Sequence, residues 1–325
     1  MNLLKLPFVL ASKMIKATPL AALAGVAYST IAVDHELPLP SPVAADPEYV
    51  RVPGSGRIAI YRRGPVDANS VLLVHSVNAA ASAAEMRPLF DRLALNHSVA
   101  ALDLPGFGKS DREPVEYDID RMTAGVVAAL EHLGRPSHVV ALSLGSEFAA
   151  RAENLRPDLV ASLTLISPTG FRSQPGGAPE KLGDLLRLPV VGQAIYDLLT
   201  SRPSIEYFLA KSFVGEVDAG LSTYSYITAH QPNARYAPAA FLSGKLFTEA
   251  ATTTLYSSVD APTQVLYDQD PYSDFEQLAS FASQHEGWTV QRIAGTRGLP
   301  HFDASEESVS AIEEFIASAS ASRAP

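Results

Sequence analysis

The chain has 325 residues, 47% of them hydrophobic and 18% charged, which is enough apolar material for one large core or two modest ones and excludes a disordered, polar-tail protein. Its 25 basic and 35 acidic residues give a formal net charge of -10, so no basic footprint exists for a phosphate backbone and nucleic acid is excluded as a partner. With no cysteine, a disulfide framework, a thiolate zinc site and a cysteine nucleophile are excluded together.

Residues 1–45 stand apart from the rest of the chain. Lys5, Lys13 and Lys16 precede the uncharged stretch Ala17 to Val33, and a proline-punctuated segment then runs through Pro42. That order resembles a signal peptide or a short anchor, yet Pro19 and the small Ala, Ser and Thr side chains fall short of the roughly 18–20 strongly apolar residues that a spanning helix needs. Leu3, Leu6, Leu10 and Met14 at near-helical spacing give another reading, an amphipathic helix on the protein's own surface or at a membrane interface. The basic-then-apolar order favours export or membrane contact through this segment, with a cytoplasmic location as the alternative. Because the recognisable core begins near Tyr49, residues 1–45 are expected to be dispensable for activity.

From Tyr49 onward short apolar runs alternate with helical periodicity, the pattern of a mainly parallel sheet flanked by helices. Tyr49 to Val52 and Arg57 to Tyr61 form an opening hairpin around Pro53-Gly54-Ser55-Gly56. Strands are expected next at Val71 to His75, Ser98 to Asp103, His138 to Leu142 and Ser162 to Ser167. Between them, Met86, Leu89, Phe90 and Leu93 mark one helix, and Ile119, Met122, Val126, Leu130 and Leu133 mark the next. Thr263 to Tyr267 and Trp288 to Ile293 complete the strands, and Val309, Ile312, Phe315 and Ile316 form the face of a closing helix whose Ala/Ser-rich end is expected to fray. The stretch 172–259 is too long for a loop and carries its own helical signals at Val191, Ile195, Leu198, Leu199, Ile205, Phe208 and Leu209. It is read as a helical lid inserted into a core made of 46–171 and 260–325.

Ala141-Leu142-Ser143-Leu144-Gly145 lies where a predicted strand meets a predicted helix. A serine in such a tight turn needs small neighbours, and Ala141 and Gly145 supply them. The alternative reading is that Ser143 only caps the following helix. With this turn, Asp103-Leu104-Pro105-Gly106-Phe107-Gly108-Lys109-Ser110-Asp111 and Val71-Leu72-Leu73-Val74-His75, the chain resembles the α/β-hydrolase superfamily from about Tyr49 to Phe315. It departs from the pattern in two places: Ala141 opens the elbow where Gly is commoner, and Ser76 follows His75 where Gly is usual.

The resemblance implies an α/β-hydrolase fold with a lid and a nucleophile, acid and base in that chain order. Ser143 would be the nucleophile and His301, in the loop after the last strand, the base; His230 falls in the lid and His285 before that strand. The acid would be the Asp that precedes Pro, Asp270, with Asp268 two residues away as the alternative. The N–H groups of Val77 and Leu144 occupy the positions of oxyanion donors, while Asn78 reads as a turn former and His75 as a brace. These expectations amount to a serine esterase that acts on a small apolar acyl substrate without metal or cofactor. An acyltransferase with the same triad and a non-catalytic binding relative stand as alternatives. The substrate and the oligomeric state are not written in the sequence.

Overall fold

The computed structural model describes residues 19–171 and 180–323. Leu3, Leu6, Leu10 and Met14 therefore lie outside the described residues. The hairpin cluster at Pro53 closes strands β1 (Pro47–Val52) and β2 (Gly56–Arg63), with Gly54 and Gly56 both at positive φ. The apolar runs become β3 (Ser70–Val74), β4 (Ser98–Asp103), β5 (Ser137–Leu142), β6 (Val160–Ile166), β7 (Thr263–Tyr267) and β8 (Trp288–Arg292). They form one sheet in the order β1-β2-β4-β3-β5-β6-β7-β8, antiparallel through the first three strands and parallel from there on.

β3, β4, β5 and β6 are buried along their whole length because both sheet faces are covered. Period-two alternation divides their side chains: Leu72, Val74 and Val139 pack against helices α3 (Ile119–Leu133) and α4 (Gly145–Leu155), while Val71, Leu73 and Val140 pack against α2 (Arg87–Leu93) and α13 (Ser305–Arg323). Helix α3 starts where Asp118 accepts the Arg121 N–H at 2.8 Å and stops at Gly134, which is left-handed. Met86 ends a short 3-10 turn, Ala83–Met86, that precedes α2. The C-terminal end does not fray as its composition led us to expect: α13 runs to Arg323, with Ala319 buried.

The chain leaves the sheet after β6 and returns at β7. In between lie α5 (Glu180–Arg187), α6 (Val191–Leu199), α7 (Arg202–Ser212), α8 (Ala219–Ala229), α9 (Tyr236–Leu242) and α10 (Ala251–Thr254). Leu186, Ile195, Tyr196, Ala229 and Ala234 give this insertion a small core of its own.

The N-terminal segment is bound to the insertion rather than free of it. Helix α1 (Pro19–Ala32) lies on α6, where the buried Asp197 carboxylate accepts Ser29 Oγ at 2.5 Å and His35 Nε2 at 3.0 Å. Farther along, Gln231 Nε2 donates to Leu37 O, Tyr224 OH donates to Pro40 O, and Val43 enters the core. Removing residues 1–45 would leave Asp197 without Ser29 and His35, so this stretch carries a structural share.

Candidate active site

Three features of the fold converge at the carboxyl ends of the parallel strands, near the point where successive connections from β3 turn to opposite sides of the sheet. A crevice is expected there in any open α/β sheet. The first is the turn between β5 and α4. Ser143 has φ of 51°, in the left-handed region that costs an L-residue about 1–2 kcal/mol. It is held there by its N–H on Ile166 O at 2.8 Å and by its own carbonyl accepting the Ser146 N–H. Gly145 is required because a Cβ there would come within 2.4 Å of His75 O. Leu142 and Leu144 are buried on either side, whereas Ser143 is only half-buried, so the strained turn presents the hydroxyl.

The second is the loop after β3. His75 is buried, its Nδ1–H donating to Ser76 O at 2.5 Å and its Nε2 accepting the Leu104 N–H at 2.9 Å. Both ring nitrogens are engaged in holding the backbone, which is the bracing role expected of it. Asn78 Oδ1 accepts the Ala80 N–H at 2.7 Å, a side-chain turn, and its Nδ2 reaches Glu85 Oε1 at 2.6 Å. Glu85 Oε2 accepts the Ser76 N–H at 2.9 Å. The neighbouring Asp103 motif is architectural: Asp103 accepts from Tyr61 OH, the Ala83 N–H and the Lys109 N–H, and Gly108 has no room for a Cβ beside it.

The third is the pair of loops after β7 and β8. His301 is fully buried, and burial pushes it down to about 4 despite its Nε2–H donating to Glu85 O at 2.7 Å. Its Nδ1 is buried without a hydrogen-bond partner. Asp270 Oδ1 accepts the Tyr272 and Ser273 N–H groups at 2.7 and 3.1 Å, but burial outweighs them and raises the carboxyl to about 6. Its Oδ2 lies over Gly298, three residues before His301. Asp268 is engaged elsewhere, accepting from Arg292 Nε at 2.6 Å, Gly295 N–H at 2.8 Å and Thr296 N–H at 3.0 Å. Burial opposes its charge, yet these donors prevail and hold it below the usual aspartate range.

The fold therefore brings Ser143, Val77, Leu144, His301 and Asp270 to one end of the sheet. Among the described residues no hydrogen bond joins Ser143 to His301 or His301 to Asp270, and none engages the Leu144 or Val77 N–H. A cleft of about 310 Å³ opens beside Asp270, lined by Lys211, Gln269, Pro271 and Arg297 as well. Two residues here escaped the sequence reading. Glu85 sits in what reads as an ordinary helix start, and Glu147, four residues after Ser143, is buried with Thr169 Oγ1 and the Thr248 N–H on its carboxylate.

The chain is similar to several hydrolases. A model of the alpha/beta hydrolase family matches residues 71–311. The pimeloyl-(acyl-carrier protein) methyl ester esterase of Methylococcus capsulatus is 30% identical over 226 residues, 68% of this chain and 84% of that protein. A dihydrolipoyllysine-residue acetyltransferase component of the acetoin cleaving system of Pseudomonas putida is 38% identical over 80 residues, which is 24% of this chain and only 22% of that protein. Among solved structures, a serine hydrolase involved in carbazole degradation superposes with a TM-score of 0.70 at 18% identity, covering 84% of this chain and 99% of that one. A membrane phospholipase A does so at 0.68 and 20% identity, covering 96% of each chain. With the family model spanning β3 to α13 and the strained serine standing at the end of β5, the chain belongs to the alpha/beta hydrolase family.

Proposed function

We propose that the protein is a serine hydrolase that cleaves the carboxylic ester of a small apolar molecule through an acyl-enzyme. The observation that carries this reading is the presentation of Ser143 on a left-handed elbow beside backbone N–H groups that no protein acceptor engages among the described residues. Ser143 Oγ adds to the ester carbonyl, the oxyanion is received by the Val77 and Leu144 N–H groups, and the serine proton passes to His301 and then to the departing alkoxide. Water, deprotonated by the same ring, releases the acid.

As a base, His301 is neutral at physiological pH, because burial holds it near 4. For the proton transfer its ring leaves the Glu85 carbonyl and changes tautomer, so that Nδ1–H meets Asp270 Oδ2 and Nε2 faces Ser143. His301 Nδ1 and Asp270 Oδ2, neither of them hydrogen-bonded among the described residues, support that pairing. Protonation of Asp270 removes the group that orients the ring. Since burial raises it to about 6, kcat/KM is expected to fall with unit slope as pH drops through about 6, well before His301 itself charges. A pH profile of kcat/KM checks this, and a flat profile down to about 4 overturns it.

The inserted helices would serve as the lid. Tyr196 OH donates to Ala79 O, Ala237 abuts Gly106, and the Thr248 N–H reaches Glu147, so the insertion is tied to the loops around Ser143. Not all of its aromatic residues are free for substrate. Tyr224 is under the N-terminal strap, and Tyr256 stacks on Phe171 in the sheet core. Phe241, which packs against that core, and the partly exposed Phe247 lie 5.6 Å apart and would offer an acyl chain an aromatic surface. Labelling by a fluorophosphonate at Ser143 tests the nucleophile, and p-nitrophenyl acetate, butyrate and octanoate test the pocket. At about 0.8 kcal/mol per buried methylene, kcat/KM should rise by more than tenfold over the first few carbons; a flat or falling series removes the apolar pocket and leaves the nucleophile in place.

Membrane contact through the N-terminal segment belongs to the same reading. No helix among the described residues is long and apolar enough to cross a bilayer. Leu23, Tyr28 and Ile31 are nonetheless 65%, 55% and 84% exposed on α1, and Val191 and Leu198 are exposed on the contacting α6, which supports attachment to an interface.

A further inference from the structure

The loop that carries Val77 has no regular structure to hold it. The Val77 side chain is buried, and its N–H direction depends on how the residues on either side are fixed. His75 Nδ1–H holds the Ser76 carbonyl of the same peptide unit, and the groups on either side are both tied to one carboxylate. Glu85 Oε2 takes the Ser76 N–H at 2.9 Å and Glu85 Oε1 takes Asn78 Nδ2 at 2.6 Å, so the two attachments flank Val77. The same residue's carbonyl accepts His301 Nε2–H at 2.7 Å. Glu85 is 5% exposed, and among the described residues no ion pair compensates it. A buried carboxylate matched only by neutral donors is a costly way to hold a loop.

We propose that Glu85 is a positioning residue for the reaction: its carboxylate aims the Val77 N–H at the oxyanion, and its carbonyl sets the resting orientation of His301. This rests on the reading of Ser143 as nucleophile and Val77 as oxyanion donor. Asn78 is then the second arm of the clamp. A preorganised donor acts mainly in the transition state, so the loss should fall on kcat and not on KM.

The test is Glu85→Gln, which keeps volume but sets an amide N–H against the Ser76 N–H or the Asn78 amide. With a p-nitrophenyl ester, kcat is expected to fall by about a hundredfold while KM stays within about threefold, the size of effect seen when an oxyanion donor is lost. The affinity of a boronic acid or trifluoromethyl ketone, which mimic the tetrahedral state, should weaken in proportion to kcat/KM. A merely structural role would lower the melting temperature and leave that proportion absent. Asn78→Ala, which removes only one arm, gives a smaller loss of the same kind, and the Glu85→Gln/Asn78→Ala pair should be less than multiplicative.

If Glu85→Gln fails to fold, Asn78→Ala decides alone through the same kcat and inhibitor readouts. A folded Glu85→Gln enzyme with kcat within about threefold of the parent overturns the proposal, provided that Ser143→Ala is inactive in the same assay. A Ser143→Ala enzyme that still turns over overturns the underlying reading instead, and this one with it.

Discussion

Ser143→Ala and His301→Ala are each expected to lose roughly 10⁴-fold or more in turnover, and the double variant little further, because nucleophile and base act as one unit. Their stabilities should differ. Ala at position 143 keeps the φ of 51°, so its strain and its melting temperature stay near those of the parent. His301 is completely buried and occupies the Glu85 carbonyl, so its truncation leaves both a cavity and an unpaired acceptor and should cost about 2–4 kcal/mol. Ester turnover and thermal unfolding of the two variants measure these separately. Ordinary turnover by Ser143→Ala would end the acyl-enzyme mechanism.

Asp270→Asn and Asp268→Asn should separate function from stability in opposite senses. Among the described residues Asp270 Oδ2 accepts no hydrogen bond, and burial keeps the carboxyl less acidic than usual, so an amide there costs the fold little. It removes the charge that would orient and stabilise the His301 ring, with an expected loss of roughly 10³–10⁴ in kcat. Asp268→Asn turns an amide toward the Arg292, Gly295 and Thr296 donors, and about 1–3 kcal/mol of stability should go with it while kcat changes little. The stabilisation from Asp268 is present above its ordinary value of 3.8 and fades as pH falls through its depressed folded value. The reverse ranking in kcat would move the acid to Asp268.

The sheet was legible because its signals are local. Ser98 to Asp103 and Thr263 to Tyr267 are strands to the residue, and Ile119 to Leu133 is a helix to the residue. Apolar periodicity, Asp118 and Gly134 define that helix without help from the rest of the chain. The elbow was legible because its pattern is contiguous, a strand, a serine between small residues and a helix, although the contact that demands Gly145 comes from the distant His75 carbonyl. The features that escaped are held by distant partners. Residues 33–43 have no period, and their fixed course comes from Asp197, Gln231 and Tyr224. Glu85 precedes an apolar helical face and reads as a solvated first-turn acid, when the fold turns it inward onto the loop after β3. At the chain's end, Ala and Ser looked uncommitted because small residues give no amphipathic signal, but Ala319 is covered by its neighbours in the fold.

The strap over α6 also sets an order in time. His35 and Asp197 are 162 residues apart, and Leu37 and Gln231 are 194 apart. At a synthesis rate of about 5–20 residues per second, roughly 8–39 s pass between the appearance of the N-terminal segment and that of the residues that receive it. During that interval α1 and His35 cannot make the contacts to Asp197 that hold them in the finished fold. Once α6 emerges, Asp197 can take Ser29 and His35. The contacts that fix residues 29–37 therefore cannot form until more than half of the chain has been made.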